Sequence, residues 1–128
     1  MLELPTVLLR HQDSSGCHYD WMIADPRSPQ GLLWTARCSI ASTNWHDANR
    51  FDLEPIPPHR REYLDYQGPI SKGRGSVVRV DSGSAVAWVW NDQSMIIQLA
   101  MKHCIGTVQL QRADVRLWRA RMINGRHQ

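Results

Sequence analysis

The sequence predicts an all-β fold: a small antiparallel β-barrel with one short helix and irregular loops. Helical periodicity is scarce along the 128 residues. Short apolar or alternating runs are frequent and are separated by turn residues, a pattern typical of barrels and sandwiches. The length predicts a single domain, residues 1–128, large enough to bury a core of its own.

Turn and loop residues divide the chain into its predicted elements. Hairpin turns are predicted at Asp81-Ser82-Gly83 and Asn91-Asp92-Gln93. Irregular loops are predicted at residues 25–30 and 68–75, where prolines and glycines collect. A short helix is predicted at residues 58–66, because Pro58 suits a first helical turn. The predicted strands are residues 6–10, 19–24, 32–37, 50–54, 76–80, 84–90, 95–99, 107–111 and 117–122.

The charge of the chain is mildly basic, with fifteen Lys and Arg against twelve Asp and Glu. The excess lies in the run from Lys102 to Arg126, where only Asp114 opposes the basic residues. These are Lys102, Arg112, Arg116, Arg119, Arg121 and Arg126. Such a distribution is compatible with a phosphate-rich ligand and equally with a solvated strand face.

Cysteine usage predicts a reducing compartment. Three cysteines are too few, and odd in number, for a disulfide framework. The first residues lack the pattern of a secretory signal, and no apolar run approaches membrane-spanning length. We therefore expect a cytoplasmic protein with no membrane partner.

The densest polar cluster is His11 with His18 and Asp20. Two imidazoles and a carboxylate form a common ligand set for Zn²⁺, Mn²⁺ or Fe²⁺. His18 and Asp20 are two residues apart on a predicted strand, so their side chains share a face. His11 reaches that face if residues 12–17 form a hairpin connection. The pattern predicts a metal site, although ordinary surface residues would give the same spacing.

A second cluster consists of His59 and Tyr63, four residues apart, with Arg50 upstream. A helix would stack the imidazole and the phenol on one face, where they could bind phosphate or act as acid and base. Arg50 offers a guanidinium suited to two phosphate oxygens. A solvated amphipathic turn is the alternative interpretation.

Three stretches together resemble the 3′-phosphoesterase family found at the front of bacterial DNA ligase D. Residues 11–21, HQDSSGCHYDW, resemble its opening His-Tyr-Asp motif, and residues 59–78, HRREYLDYQGPISKGRGSVV, resemble its next block. Residues 96–122 resemble its closing strands, so the resemblance covers about residues 5–122.

The resemblance implies a β-barrel with a site in a groove on its outer surface. It implies that His11, His18 and Asp20 hold a divalent metal, Mn²⁺ first and Zn²⁺ or Co²⁺ as alternatives. It further implies catalytic roles for His59 and Tyr63.

The resemblance also implies a phosphate contact from Arg50 together with His59. The expected ligands are DNA or RNA 3′ ends, from which relatives remove 3′-phosphates and 3′-ribonucleotides in repair. A separate ligase or polymerase is an expected partner.

Departures from the family pattern keep the function open. The arginine expected two positions after Asp20 is Met22, and Arg50 is offset by about one position. Three hypotheses follow: a metal-dependent 3′-phosphoesterase, a nucleic-acid-end binding module that has lost turnover, and a small metal-binding barrel acting on a small molecule.

Overall fold

The computed structural model describes residues 2–126, and the side chains of residues 2–123. Its strands are β1 (Leu4–Asp13), β2 (Gly16–Ala24), β3 (Leu33–Cys38), β4 (Arg50–His59), β5 (Gly68–Pro69), β6 (Ser76–Trp90), β7 (Ser94–Met101), β8 (Ile105–Asp114) and β9 (Leu117–Arg126). Helix α1 spans Trp45–Ala48, and 3₁₀ helices span Ser42–Asn44 and Arg61–Leu64.

The strands form one antiparallel sheet in the order β1-β2-β3-β4-β9-β8-β7-β6-β5. An additional pairing of β1 with β6 closes eight of them into a barrel, and β5 extends β6 beyond it. The predicted fold class, a small antiparallel barrel with one short helix, is therefore confirmed. Closure leaves these eight strands without the unpaired edges that open sheets must protect.

Tryptophan rings fill much of the barrel interior. Trp21 contacts both Trp34 and Trp45 edge to face, with ring centroids 5.9 and 5.3 Å apart. Trp34 in turn contacts Trp90 and Trp118 in the same manner. The buried indole of Trp21 donates to Thr6 Oγ1, so its polar edge is satisfied. Five of the six tryptophans therefore form or pack against the core, and the sixth, Trp88, is exposed.

Residues 81–83 do not form the predicted turn, because β6 runs through them as one strand. The carboxylate of Asp81 is buried and accepts hydrogen bonds from Ser42 Oγ and from the backbone N–H groups of Ser82 and His103. At Gly83 a Cβ would lie 2.1 Å from the carbonyl oxygen of Ala100. Asp81 therefore forms buried hydrogen bonds, and Gly83 allows β6 and β7 to approach closely.

The helix predicted at residues 58–66 is mostly absent. Strand β4 continues to His59, and only the single 3₁₀ turn Arg61–Leu64 follows. Pro57 and Pro58 each hold the residue before them in extended backbone, and β4 runs on through this segment to His59. The α-helix of the fold is α1, which the sequence pattern did not indicate. Among the described residues, no helix is long and apolar enough to span a membrane.

The other predicted strands, turns and loops agree with the structure, except that Gly68–Pro69, predicted as part of a loop, form β5. Every other strand overlaps a predicted one, and β6 combines two of them. The turn at residues 91–93 is confirmed, with Asn91 Oδ1 accepting from the N–H groups of Gln93 and Ser94. The loop at residues 25–30 is confirmed as consecutive turns.

The three thiols differ in burial, and we expect their reactivity to differ accordingly. Cys17 is exposed, whereas Cys38 and Cys104 are buried. Burial raises the pKa of the Cys38 thiol and raises the pKa of Cys104 to about 12. A disulfide reagent should therefore modify one thiol in the native protein and the other two only in denaturant. The Cys17→Ser variant should show no fast reaction; fast modification of three thiols would contradict this packing.

Candidate metal centre

The β1–β2 hairpin brings the predicted ligands together. His11 lies directly opposite His18, and Asp20 lies opposite Leu9, two residues further along the hairpin. Strand alternation therefore places all three polar side chains on one face, opposite Trp21, which packs inside the barrel. The predicted cluster is assembled by a two-residue connection, a tight turn after Asp13.

The distances within the cluster suit one shared ion. His11 Nδ1 lies 3.2 Å from His18 Nε2 and 3.6 Å from Asp20 Oδ2. His18 Nε2 lies 3.3 Å from Asp20 Oδ1. Ligand atoms held about 2.1 Å from a single ion lie roughly 3.0–3.4 Å from one another. These three side chains could therefore hold a divalent metal.

A backbone carbonyl fixes the tautomer of His11. The carbonyl oxygen of Arg74 lies 2.6 Å from His11 Nε2, and a carbonyl can only accept. Nε2 therefore carries the proton, which leaves Nδ1 of the neutral ring with a lone pair facing Asp20 and His18. Metal-bound histidines typically use their second nitrogen in this way.

The negative charge of the buried Asp20 carboxylate is not fully balanced by protein groups in the cluster. Asp20 is 3% exposed, and its Oδ1 accepts no hydrogen bond within the described part of the chain. Burial lowers the pKa of His18, an effect that Asp20 opposes and Arg37 reinforces. A proton on His18 could satisfy only one acceptor, whereas a cation bonds to all three groups. The donor set thus fits a divalent ion.

His59 and Tyr63 lie in the same cleft as the cluster. This cleft of about 570 Å³ contains His11 and Asp20 at one side and His59 and Tyr63 at the other. The two rings meet edge to face at 5.4 Å. The N–H at Nδ1 of His59 donates to the carbonyl of Pro57, which leaves Nε2 available to a ligand.

A β-bulge turns His59 toward this cleft. Across the β3–β4 pair, Thr35 is opposite Ile56 but Leu33 is opposite His59, so three steps on β4 match two on β3. Without the extra residue, alternation would place His59 on the face opposite Ile56. The predicted proximity of His59 and Tyr63 is therefore present, but a bulge in β4 produces it and not a helix.

Arg50 is not brought to the cleft. It begins β4, at the end opposite His59, and lines a separate groove with Arg119 and Arg121. The arginines that line the metal cleft are Arg37, Arg60 and Arg74. Sequence reasoning missed Arg37, which faces Asp20 directly across the β2–β3 pair and can be found only once that register is known.

Met22 stands where the family pattern has an arginine, and its side chain is buried. It borders the cleft, two residues after Asp20 as expected, and it is 1% exposed. Met22 is therefore a core residue beneath the cleft. Arg37, on the neighbouring strand, provides a guanidinium beside Asp20 instead.

Gly75 allows the loop before β6 to approach β1. It has a positive φ of 87°, and a Cβ there would lie 2.0 Å from the carbonyl oxygen of Gln12. Its own carbonyl accepts from the N–H of Ile70, which folds the loop back on itself. This approach places the neighbouring Arg74 carbonyl against His11.

Comparison with known protein-family models finds none that matches this chain. Comparison with curated proteins finds no match either. The case for a function therefore rests on the site and on the sequence motifs.

Removing one ligand should remove the ion. We expect His18→Ala to weaken Mn²⁺ or Zn²⁺ binding by more than about 100-fold, since two ligands remain of three. Isothermal titration calorimetry measures this directly. His103→Ala removes a histidine outside the cluster and should bind as the parent does; equal binding by His18→Ala would refute the site.

The Gly75→Ala substitution tests the hydrogen bond from His11 Nε2 to the Arg74 carbonyl, which we call the carbonyl lock. The added methyl group cannot fit against Gln12, so the loop must move and the Arg74 carbonyl must leave Nε2. Loss of such an outer partner costs about 10–100-fold in metal affinity. Gly73→Ala is the matched control, because its Cβ meets nothing within 4 Å. Both glycines have positive φ, so backbone strain is common to the two variants. Equal affinities in the two variants would show that the lock is unimportant.

Proposed function

We propose that the protein is a metal-dependent 3′-phosphoesterase acting on DNA or RNA 3′ ends, related to the ligase D family. The observation that carries this proposal is the cluster of His11, His18 and Asp20, two members of which, His11 and Asp20, line a cleft. His59 and Tyr63 line the same cleft. The order of these residues along the chain is that of the family motifs. Their convergence in one cleft supports treating them as one site.

A bound ion would polarise a phosphoryl oxygen and lower the pKa of a water molecule there. Mn²⁺ is the ion that the resemblance favours, and Zn²⁺ or Co²⁺ would suit the same donors. The remaining chemistry belongs to side chains that bind and orient the phosphate.

The basic side chains of the cleft suit a phosphate. Arg37 stands across from Asp20, and Arg74 is held by hydrogen bonds from its guanidinium to Ser71. Their forked donors match paired phosphate oxygens and neutralise charge that develops on them. His59 Nε2 is the atom that would bind the phosphate or transfer a proton to the leaving oxygen. The Tyr63 hydroxyl would orient a phosphate oxygen.

The buried Met22 favours one alternative, a nucleic-acid-end binding module without turnover. In relatives an arginine at this position would contact the phosphate. Release of inorganic phosphate from a 3′-phosphorylated oligonucleotide with added Mn²⁺ separates the two functions. Turnover that His18→Ala abolishes is expected for the enzyme, whereas tight end binding without release would support the module.

We expect Arg37 to make the phosphate contact that an arginine makes in relatives and that Met22 cannot make. We expect Arg37→Gln to lower kcat/KM for 3′-phosphate release by about 10–100-fold, the loss of a charge-assisted bond of about 1.5–3 kcal/mol. Arg27→Gln removes an equal charge from the loop after β2 and should leave the rate unchanged. Equal rates for both variants would remove Arg37 from the site.

A further inference from the structure

A second polar surface lies on the outer side of the barrel, away from the metal cleft. We call it the β4–β9 face and define it by Arg50, Arg119, Arg121, Gln109, Gln111 and Trp88. Strand register aligns Arg50 with Arg121 and Arg121 with Gln109 across three adjacent strands. Arg119 and Gln111 form the neighbouring row. All six residues are exposed.

The groove on this face contains three guanidinium groups and one carboxylate, because Asp52 lies opposite Arg119 across the β4–β9 pair. Arg50 and Arg121 are direct cross-strand partners, and like charges in that relation are destabilising. Within residues 2–123, no hydrogen bond or ion pair engages the guanidinium groups of Arg50, Arg119 or Arg121. A groove of about 560 Å³ lies among them. An anionic group bound there would relieve the repulsion.

Trp88 adds an exposed aromatic ring to the same side of the sheet. The β6–β7 register shifts between Ala87 and Val89, so Trp88 is the extra residue of a bulge. It is 57% exposed, and its indole N–H donates to Gln98 Oε1 at 3.2 Å. Gln98 is an outward residue of β7, which fixes the ring over the outer face. Trp88 and Arg121 are three strand spacings apart, roughly 14 Å.

We propose that the β4–β9 face binds a single-stranded nucleic acid, with guanidinium groups on the phosphates and a base stacked on Trp88. Basic side chains that contact the backbone, together with an exposed aromatic ring on which a base can stack, are the features by which proteins bind unpaired strands. The paired bases of a duplex cannot stack on a side chain, and an acidic peptide would leave the indole unused. The amides of Gln109 and Gln111, on β8 between the arginines and Trp88, can bond to base edges or to phosphate oxygens.

The face extends the proposed function without depending on it. Strand β4 has Arg50 at one end and His59 at the other, and ten extended residues span about 30 Å. A strand held on the face could therefore continue toward the metal cleft. Binding to the face needs no metal, so it can be measured in the presence of EDTA.

Fluorescence anisotropy with a fluorescein-labelled oligothymidine of about twelve nucleotides tests the proposal. Trp88→Ala should weaken binding by about tenfold or more, and Trp88→Phe, which keeps a ring, by less. Arg121→Gln should also weaken binding and reduce the log–log salt slope by about 0.7. Arg27→Gln is the matched charge control. His18→Ala should bind as the parent, which separates this proposal from the metal centre.

Three results would overturn the proposal. One is the absence of binding by the parent at low salt, and another is equal affinity in Trp88→Ala and the parent. The third is displacement of the oligothymidine by poly-glutamate at equal charge concentration, which would indicate an acidic protein partner. Thermal unfolding of the Trp88, Arg121 and Arg27 variants should match the parent, because these three side chains are exposed.

Discussion

The pairing of β1 with β6 is the contact on which both the barrel and the candidate site depend. It joins segments about seventy residues apart and places Val77 opposite His11. The same closure brings the loop before β6 against β1, where the Arg74 carbonyl reaches His11. An open sheet of the same strands would keep the β1–β2 hairpin but lose the group that orients one of its ligands.

The interior determines which groups face outward. Trp21 packs against two other tryptophans and donates to Thr6, so its position in β2 is strongly fixed. Its neighbours Asp20 and Met22 must then point to the opposite face. A register slip of one residue would bury a carboxylate among the indole rings, a cost of several kcal/mol. The core therefore helps to fix the arrangement of the candidate metal ligands.

Local patterns predicted what depends on neighbours in sequence. Alternation placed His18 and Asp20 on one face, and turn residues marked the hairpin at Asn91. Sequence patterns failed where contacts between distant strands determine the local structure. Asp81 and Gly83 look like a turn but serve contacts with other segments, and Arg50 lies far from the cluster because β4 is long. His59 reaches the cleft through a bulge that no short pattern indicates.

The ligands and their lock have different origins along the chain. Only six residues lie between His11 and His18, so the donor set is complete once a single hairpin has formed. Arg74 joins it only after closure, a long-range event that is slow in β topologies. An ion would therefore find a loose chelate in a partly folded chain and a tighter one in the closed barrel. If the candidate site binds an ion, that difference in affinity would appear as added stability of the closed form whenever the ion is present.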